Sequence, residues 1–229
     1  MRLRTILLLL LGLAAPVHAG EPVEQEIVCP IGGETFLITG TSSCSVLGRT
    51  MSFRPVTSCD FVTRLPVCPG NGLPLFDRFT ESELARLPEI LESAEFQQDR
   101  TAPAWQRAFY LANRIGRENS ATTFRLLLNA LWYEPETFLE NPDLIAQLLA
   151  QVNSEKSRVA VENHAFLDAI AAYVLGATGQ SEKAHRKLAR LRANPATPPA
   201  LEPFMARLET CLSDWSAEAC APDAPMPEG

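Results

Sequence analysis

The sequence predicts an α+β protein: a small, disulfide-stapled, β-rich N-terminal cap packed on a mainly α-helical body. Four cysteines, Cys29, Cys44, Cys59 and Cys68, crowd into one segment rich in Gly, Ser, Thr and Pro. From Thr80 onward, apolar residues recur at three- and four-residue steps, the period of a helix that buries one face. The composition changes once, near Phe79, which divides the chain into residues 1–19, a leader; residues 20–79, the Cys-rich cap; residues 80–220, the helical body; and residues 221–229, a Pro-rich tail expected to be disordered.

The leader has a cationic start at Arg2 and Arg4, an apolar run from Ile6 to Leu13, and small residues at Val17 and Ala19, the three parts of a secretory signal peptide cleaved after Ala19. A membrane-spanning helix needs about 20 apolar residues, and Pro16 with His18 interrupts this run first. No cysteine stands at the cleavage point to carry a lipid. The mature chain is therefore expected to be soluble, without stable membrane insertion, in the periplasm or outside the cell. Its 18 Lys and Arg face 27 Asp and Glu, a formal −9, so nucleic acid, which needs cationic patches that release counterions, is not an expected partner. Arg186, Lys187, Arg190 and Arg192 have the spacing of a solvated helical face.

In the cap, short apolar stretches such as Phe36-Leu37-Ile38-Thr39 and Phe61-Val62-Thr63 between turn formers suit strands and turns. In the body, Thr80 with Glu83 three residues on makes a capping box, each side chain satisfying the other's backbone N–H. Trp105, Ala108, Phe109, Ala112 and Ile115 form one apolar stripe, and Phe124, Leu127, Leu128 and Leu131 the next. Asn141 before Pro142 starts a helix whose buried face is Leu144, Ile145, Leu148 and Leu149. Further helices are expected over residues 157–177, 182–192 and 202–212.

Gly116 stands five residues before Ala121, and Gly179 five before Ala184. That spacing resembles the turn and close-packing position of a tetratricopeptide helical pair, and Trp105, Ala108 and Ala112 also fall where that repeat prefers a large, a small and a small or aromatic residue. The second copy has Asp168 where Trp105 corresponds, and the copies lie 63 residues apart. A generic helical bundle is the alternative; only the repeat implies a concave binding face.

Cys29-Pro30-Ile31-Gly32-Gly33, residues 48–55, and Leu65-Pro66-Val67-Cys68-Pro69-Gly70-Asn71-Gly72 resemble an uncharacterised bacterial family with a Cys-rich cap ahead of tetratricopeptide-like helices. The resemblance covers residues 27–134, is specific in the two loops, and implies no known activity. Metal-binding members carry Cys-Pro-X-Cys zinc knuckles; here Gly32 and Asn71 take the second ligand positions, so each knuckle keeps one cysteine. Zinc in a structural site wants four ligands. If the two loops face each other as around a metal, the resemblance implies a Cys29–Cys68 disulfide, leaving Cys44 to pair with Cys59. Four cysteines allow three pairings, and a zinc site using all four thiolates is the alternative cofactor. A Cys211–Cys220 bridge is expected to pin the chain end to the last helix.

No Cys-X-X-Cys redox motif, Gly-X-Ser-X-Gly elbow, phosphate loop or His-Glu-X-X-His helix is present, and no catalytic, cofactor or metal residue is assigned. His164 with Asp168 could orient an imidazole as a base on one helical face, but i,i+4 polar pairs are ordinary on helices. Met51, Phe53 and Trp215 suit either exposed contacts or core. The expected function is non-catalytic: binding a protein or peptide partner through the helical body, with a structural zinc module, a cryptic hydrolase or an inert structural subunit as alternatives.

Overall fold

The computed structural model describes residues 20–227; the expected leader lies outside them. The fold is α+β with a helical body. Strands β1 (Pro22–Val28) and β2 (Thr35–Thr41) pair antiparallel in unbroken register from Pro22↔Thr41 to Val28↔Thr35. Strands β3 (Val46–Arg49) and β4 (Pro55–Thr57) form a second hairpin, bulged between Val46 and Gly48. Residues 61–63 make turns, and Thr63 N–H donates to the β2 carbonyl of Thr39 at 2.8 Å.

Nine α-helices follow among the described residues: α1 (Glu81–Glu92), α2 (Ala94–Asp99), α3 (Ala104–Arg114), α4 (Ala121–Tyr133), α5 (Pro135–Leu139), α6 (Pro142–Lys156), α7 (His164–Ala177), α8 (Ser181–Ala193) and α9 (Glu202–Ser213). Local chemistry sets most of their starts. Thr80 and Glu83 close the capping box of α1, and Asn141 Oδ1 accepts from the N–H groups of Asp143 and Leu144 ahead of α6. The helix expected over residues 157–177 begins at His164 instead. Ser157 Oγ donates to Ser154 O at 2.7 Å and closes α6, a side-chain competitor for helix carbonyls that hydrophobic periodicity does not register.

Helices α3 with α4, and α7 with α8, are hairpins turned by Gly116 (φ 89°) and Gly179 (φ 72°), a left-handed conformation that costs a side-chain-bearing residue about 1–2 kcal/mol. The two pairs are not equivalent. Helix α8 starts two residues after Gly179, so Ala184 lies inside it and is fully buried, whereas α4 starts five residues after Gly116 and its first residue, Ala121, is exposed. The close-packing position expected at Ala121 is thus not used, because the intervening loop 117–120 carries Arg117 and the cap residue Ser120.

The cap does not keep a core to itself. Met51 (0 % exposed) and Phe53 (3 %) belong to the cluster formed by α3, α4, α6, α7 and α9, and Cys29, Cys68 and Leu73 pack with Leu87, Leu91, Phe96 and Leu111 of α1–α3. Phe53 makes edge contacts with Phe204 and Phe166, ring centres 4.6 and 6.4 Å away. As far as Pro227 the tail expected to be disordered is instead a strap across the cap, its last two residues lying outside the described ones: Met51 N–H donates to Ala224 O (2.8 Å), Ser52 N–H to Pro222 O (3.2 Å) and Met226 N–H to Arg49 O (2.8 Å). The proline content of the tail does not prevent this, because the strap uses the carbonyls of Pro222 and Ala224 and the amide of Met226.

Candidate functional site

Three disulfides join Cys29 to Cys68, Cys44 to Cys59 and Cys211 to Cys220. Around the first, the two cap loops fold alike: Gly33 N–H returns to Cys29 O at 3.2 Å and Gly72 N–H to Cys68 O at 2.9 Å. Asn71 Nδ2 donates to Ile31 O (2.7 Å) and Gly70 N–H to Glu34 Oε1 (3.1 Å), stitching one loop to the other. Cys29, Glu34 and Cys68 bring three potential ligand atoms within 4.8 Å of one another. With both sulfurs joined in the S–S bond no thiolate remains, and only the Glu34 carboxylate is an anionic ligand, one where a structural site wants four.

His164 and Asp168 do not act as a pair. His164 Nε2 lies 2.8 Å from Lys156 O. The Asp168 carboxylate bridges Lys156 and Lys187 at 2.7 and 2.8 Å, so it ties α6, α7 and α8 together. Burial works to raise the Asp168 pKa, but the two ammonium groups outweigh it and hold the carboxyl below its ordinary range. The cationic face of α8 is largely paired as well: Arg192 meets Glu209 at 2.8 Å and Arg186 meets Glu182 at 3.7 Å.

Arg117 forms a hub that the sequence reading did not find. It grips Glu83 with Nε (2.6 Å) and a terminal nitrogen (2.7 Å), reaches Asp77 at 3.0 Å and Arg78 O at 2.8 Å, and lies over the rings of Phe76 and Phe79. Its guanidinium holds the Glu83 carboxyl at about 2, against an ordinary 4.5. Glu134 was missed too. Its carboxylate accepts from the N–H groups of Trp105 (2.6 Å) and Gln106 (3.1 Å), capping α3, whose own N-cap Pro103 offers no side chain. Both partners lie too far along the chain for a local motif to signal them.

The helical body does present an open groove. Its floor is Ile145, with Leu139 and Leu149 half-buried beside it and Pro142 and Ala146 exposed at the lip. The facing wall is the turn between α7 and α8, a chain of polar groups in which Lys183 Nζ donates to Gln180 Oε1 (2.8 Å) and Gln180 Nε2 to Thr178 Oγ1 (3.2 Å). Glu140 stands at one end, and the groove encloses about 440 Å³. A larger hollow of about 560 Å³ lies between Arg207, Glu218 and the strap, but its wall includes the last described residue, Pro227. The groove at α6 is bounded by α5, α6 and the α7–α8 turn and can seat a short apolar segment while offering an ammonium, a carboxylate and amides at its rim.

Met51 and Phe53, weighed as contacts or core, are core. Trp215 is half-buried against Tyr173, ring centres 5.6 Å apart. No protein-family model, curated protein or solved structure matches this chain.

Proposed function

We propose that the protein is a non-catalytic binding protein of an oxidising compartment, periplasmic or secreted, that engages a protein or peptide partner through its helical body. The observation that carries this reading is the groove between α5, α6 and the α7–α8 turn, with its apolar floor and hydrogen-bonding rim; such mixed surfaces suit short peptide segments with an apolar anchor. Three disulfides accord with an oxidising compartment, where such bonds persist, and among the described residues no helix is long and apolar enough to cross a membrane. Membership in the Cys-rich bacterial family is proposed on the two cap loops alone.

The test is capture from periplasmic extract with the wild-type chain and with Ala146→Glu and Leu149→Arg variants, which fill or charge the groove from an exposed and a half-buried position. A partner retained by wild type and lost by both variants supports the reading. No partner above background, or equal retention by all three, overturns it.

A structural zinc module is the second reading, and it applies only to a reduced cap in which Cys29 and Cys68, beside Glu34, are thiolates rather than a disulfide. Intact mass after thiol alkylation decides: an unlabelled chain six hydrogens lighter than the reduced form, without zinc, rejects the metal module, whereas labelled cap thiols and one bound zinc install it in place of the binding reading.

A further inference from the structure

The disulfides stand in unlike surroundings. Cys29, Cys68, Cys211 and Cys220 are each 1 % exposed or less. In the remaining pair Cys59 is fully buried, but Cys44 is an exposed residue. The Cys59 side is closed off: Ser43 O lies 3.1 Å from its sulfur, and Gly20 is packed so tightly that a Cβ there would come within 3.1 Å of the same atom. A nucleophile therefore has open access to this bond only at Cys44.

The same disulfide closes the base of the β3–β4 hairpin, whose tip, residues 50–54, carries Met51 and Phe53 into the helical core. The hairpin is poorly able to hold itself. Its strands are four and three residues long with a bulge between Val46 and Gly48, and isolated two-stranded ribbons of this size are marginal in water. Its tip is also strained, since Phe53 adopts φ 68°, a conformation a bulky residue keeps only when its surroundings impose it. Trp132 Nε1, donating to Ser52 O at 2.8 Å, and the strap hold the tip from the other side.

We propose that Cys44–Cys59 is a thiol–disulfide exchange site for a dithiol, and that opening it loosens the residue 50–54 plug from the helical body. A thiolate of the dithiol attacks Cys44 Sγ, forming a mixed disulfide as the Cys44–Cys59 bond breaks. The electron pair leaves on Cys59 Sγ, which takes a proton from water and donates its S–H to Ser43 O. The second thiol of the reagent then closes onto its own sulfur, expelling Cys44, which is protonated in turn. The dithiol leaves as a cyclic disulfide, and the protein has gained two electrons and two protons.

The folded protein is treated with graded dithiothreitol, quenched with iodoacetamide and mapped by peptide mass. Cys44 and Cys59 should be alkylated at reductant levels roughly tenfold below those that open the other two pairs; another pair opening first, or all three together, overturns the site. Amide exchange is then read on the selectively reduced chain and on a Cys44→Ser/Cys59→Ser double variant. The amides of Met51 and Ser52 should exchange roughly tenfold faster while α7 and α8 stay protected. Unchanged exchange at those amides overturns the loosening. Should the double variant fail to fold, the selectively reduced wild type gives the same reading. None of these outcomes depends on whether the α6 groove binds a partner.

Discussion

Arg117 meets two carboxylates, one carbonyl and two aromatic rings with a single guanidinium, a planar fork suited to such multiple engagement. Glu83→Gln or Arg117→Ala should each lower stability by about 2 kcal/mol, as expected for charge-assisted hydrogen bonds of a half-buried group, measured as a fall in the urea midpoint at unchanged slope. The pH dependence has a definite sign. The folded pKa of Glu83, about 2, lies below its ordinary 4.5, so its stabilisation is fully present above 4.5 and is lost as pH falls from there towards 2; Asp168 acts in the same direction. Glu83→Gln should therefore flatten the acid side of the stability profile in that window. Phe53 belongs to the same scale: it is 3 % exposed and touches two phenylalanines, so Phe53→Ala should cost about 3–5 kcal/mol, less whatever strain is relieved at φ 68°. Nothing around Phe53 in sequence signals this, because its partners are supplied by α7 and α9.

Helix starts divide into those that local sequence writes and those that it does not. The caps at Thr80 and Asn141 are legible because donor and acceptor lie within three residues of each other. The cap of α3 is not, since Glu134 reaches it from 29 residues downstream. Glu134→Ala should cost about 1 kcal/mol and fray the first turn of α3, seen as faster amide exchange at Trp105 and Gln106. The α7–α8 pair shows the same division. Gly179 is marked by its place at a helix end, but Gly176, inside α7, is needed for a different reason: a Cβ there would come 2.6 Å from the Trp215 ring and 2.9 Å from Leu212. Gly176→Ala should therefore destabilise the protein despite the better helix propensity of alanine, with the loss read in the thermal midpoint. For the candidate groove, the sequence supplied the α6 stripe through Ile145 and Leu149 but not the facing wall, because Thr178, Gln180 and Lys183 are ordinary turn and surface residues until α7 and α8 are docked.

Across the whole molecule, the division into cap, body and tail follows composition, whereas the apolar clusters and the strap cross every one of those boundaries. Composition reports what a segment is made of; it is silent on long-range pairing of ends, and the Met51–Ala224 contact spans most of the described chain. Removing residues 221–229 deletes three backbone hydrogen bonds to residues 49–52 and should cost about 3 kcal/mol at roughly 1 kcal/mol each. The truncated chain should also bind a hydrophobic dye that the full chain excludes, as Met51 loses its cover. An unchanged midpoint and no dye binding would show the strap to be dispensable.

The strap also sets an order of events during synthesis. The residue 50–54 plug emerges early, yet α7 and α9, which receive it, and the segment that locks it are made last. A hairpin with two apolar tip residues must therefore wait, unsatisfied, for α9 and the strap to appear, and in the interval its shape rests on contacts of its own: the β3–β4 pairing, the tip bonds from Thr50 and Phe53, and the Cys44–Cys59 bond that closes only a short loop.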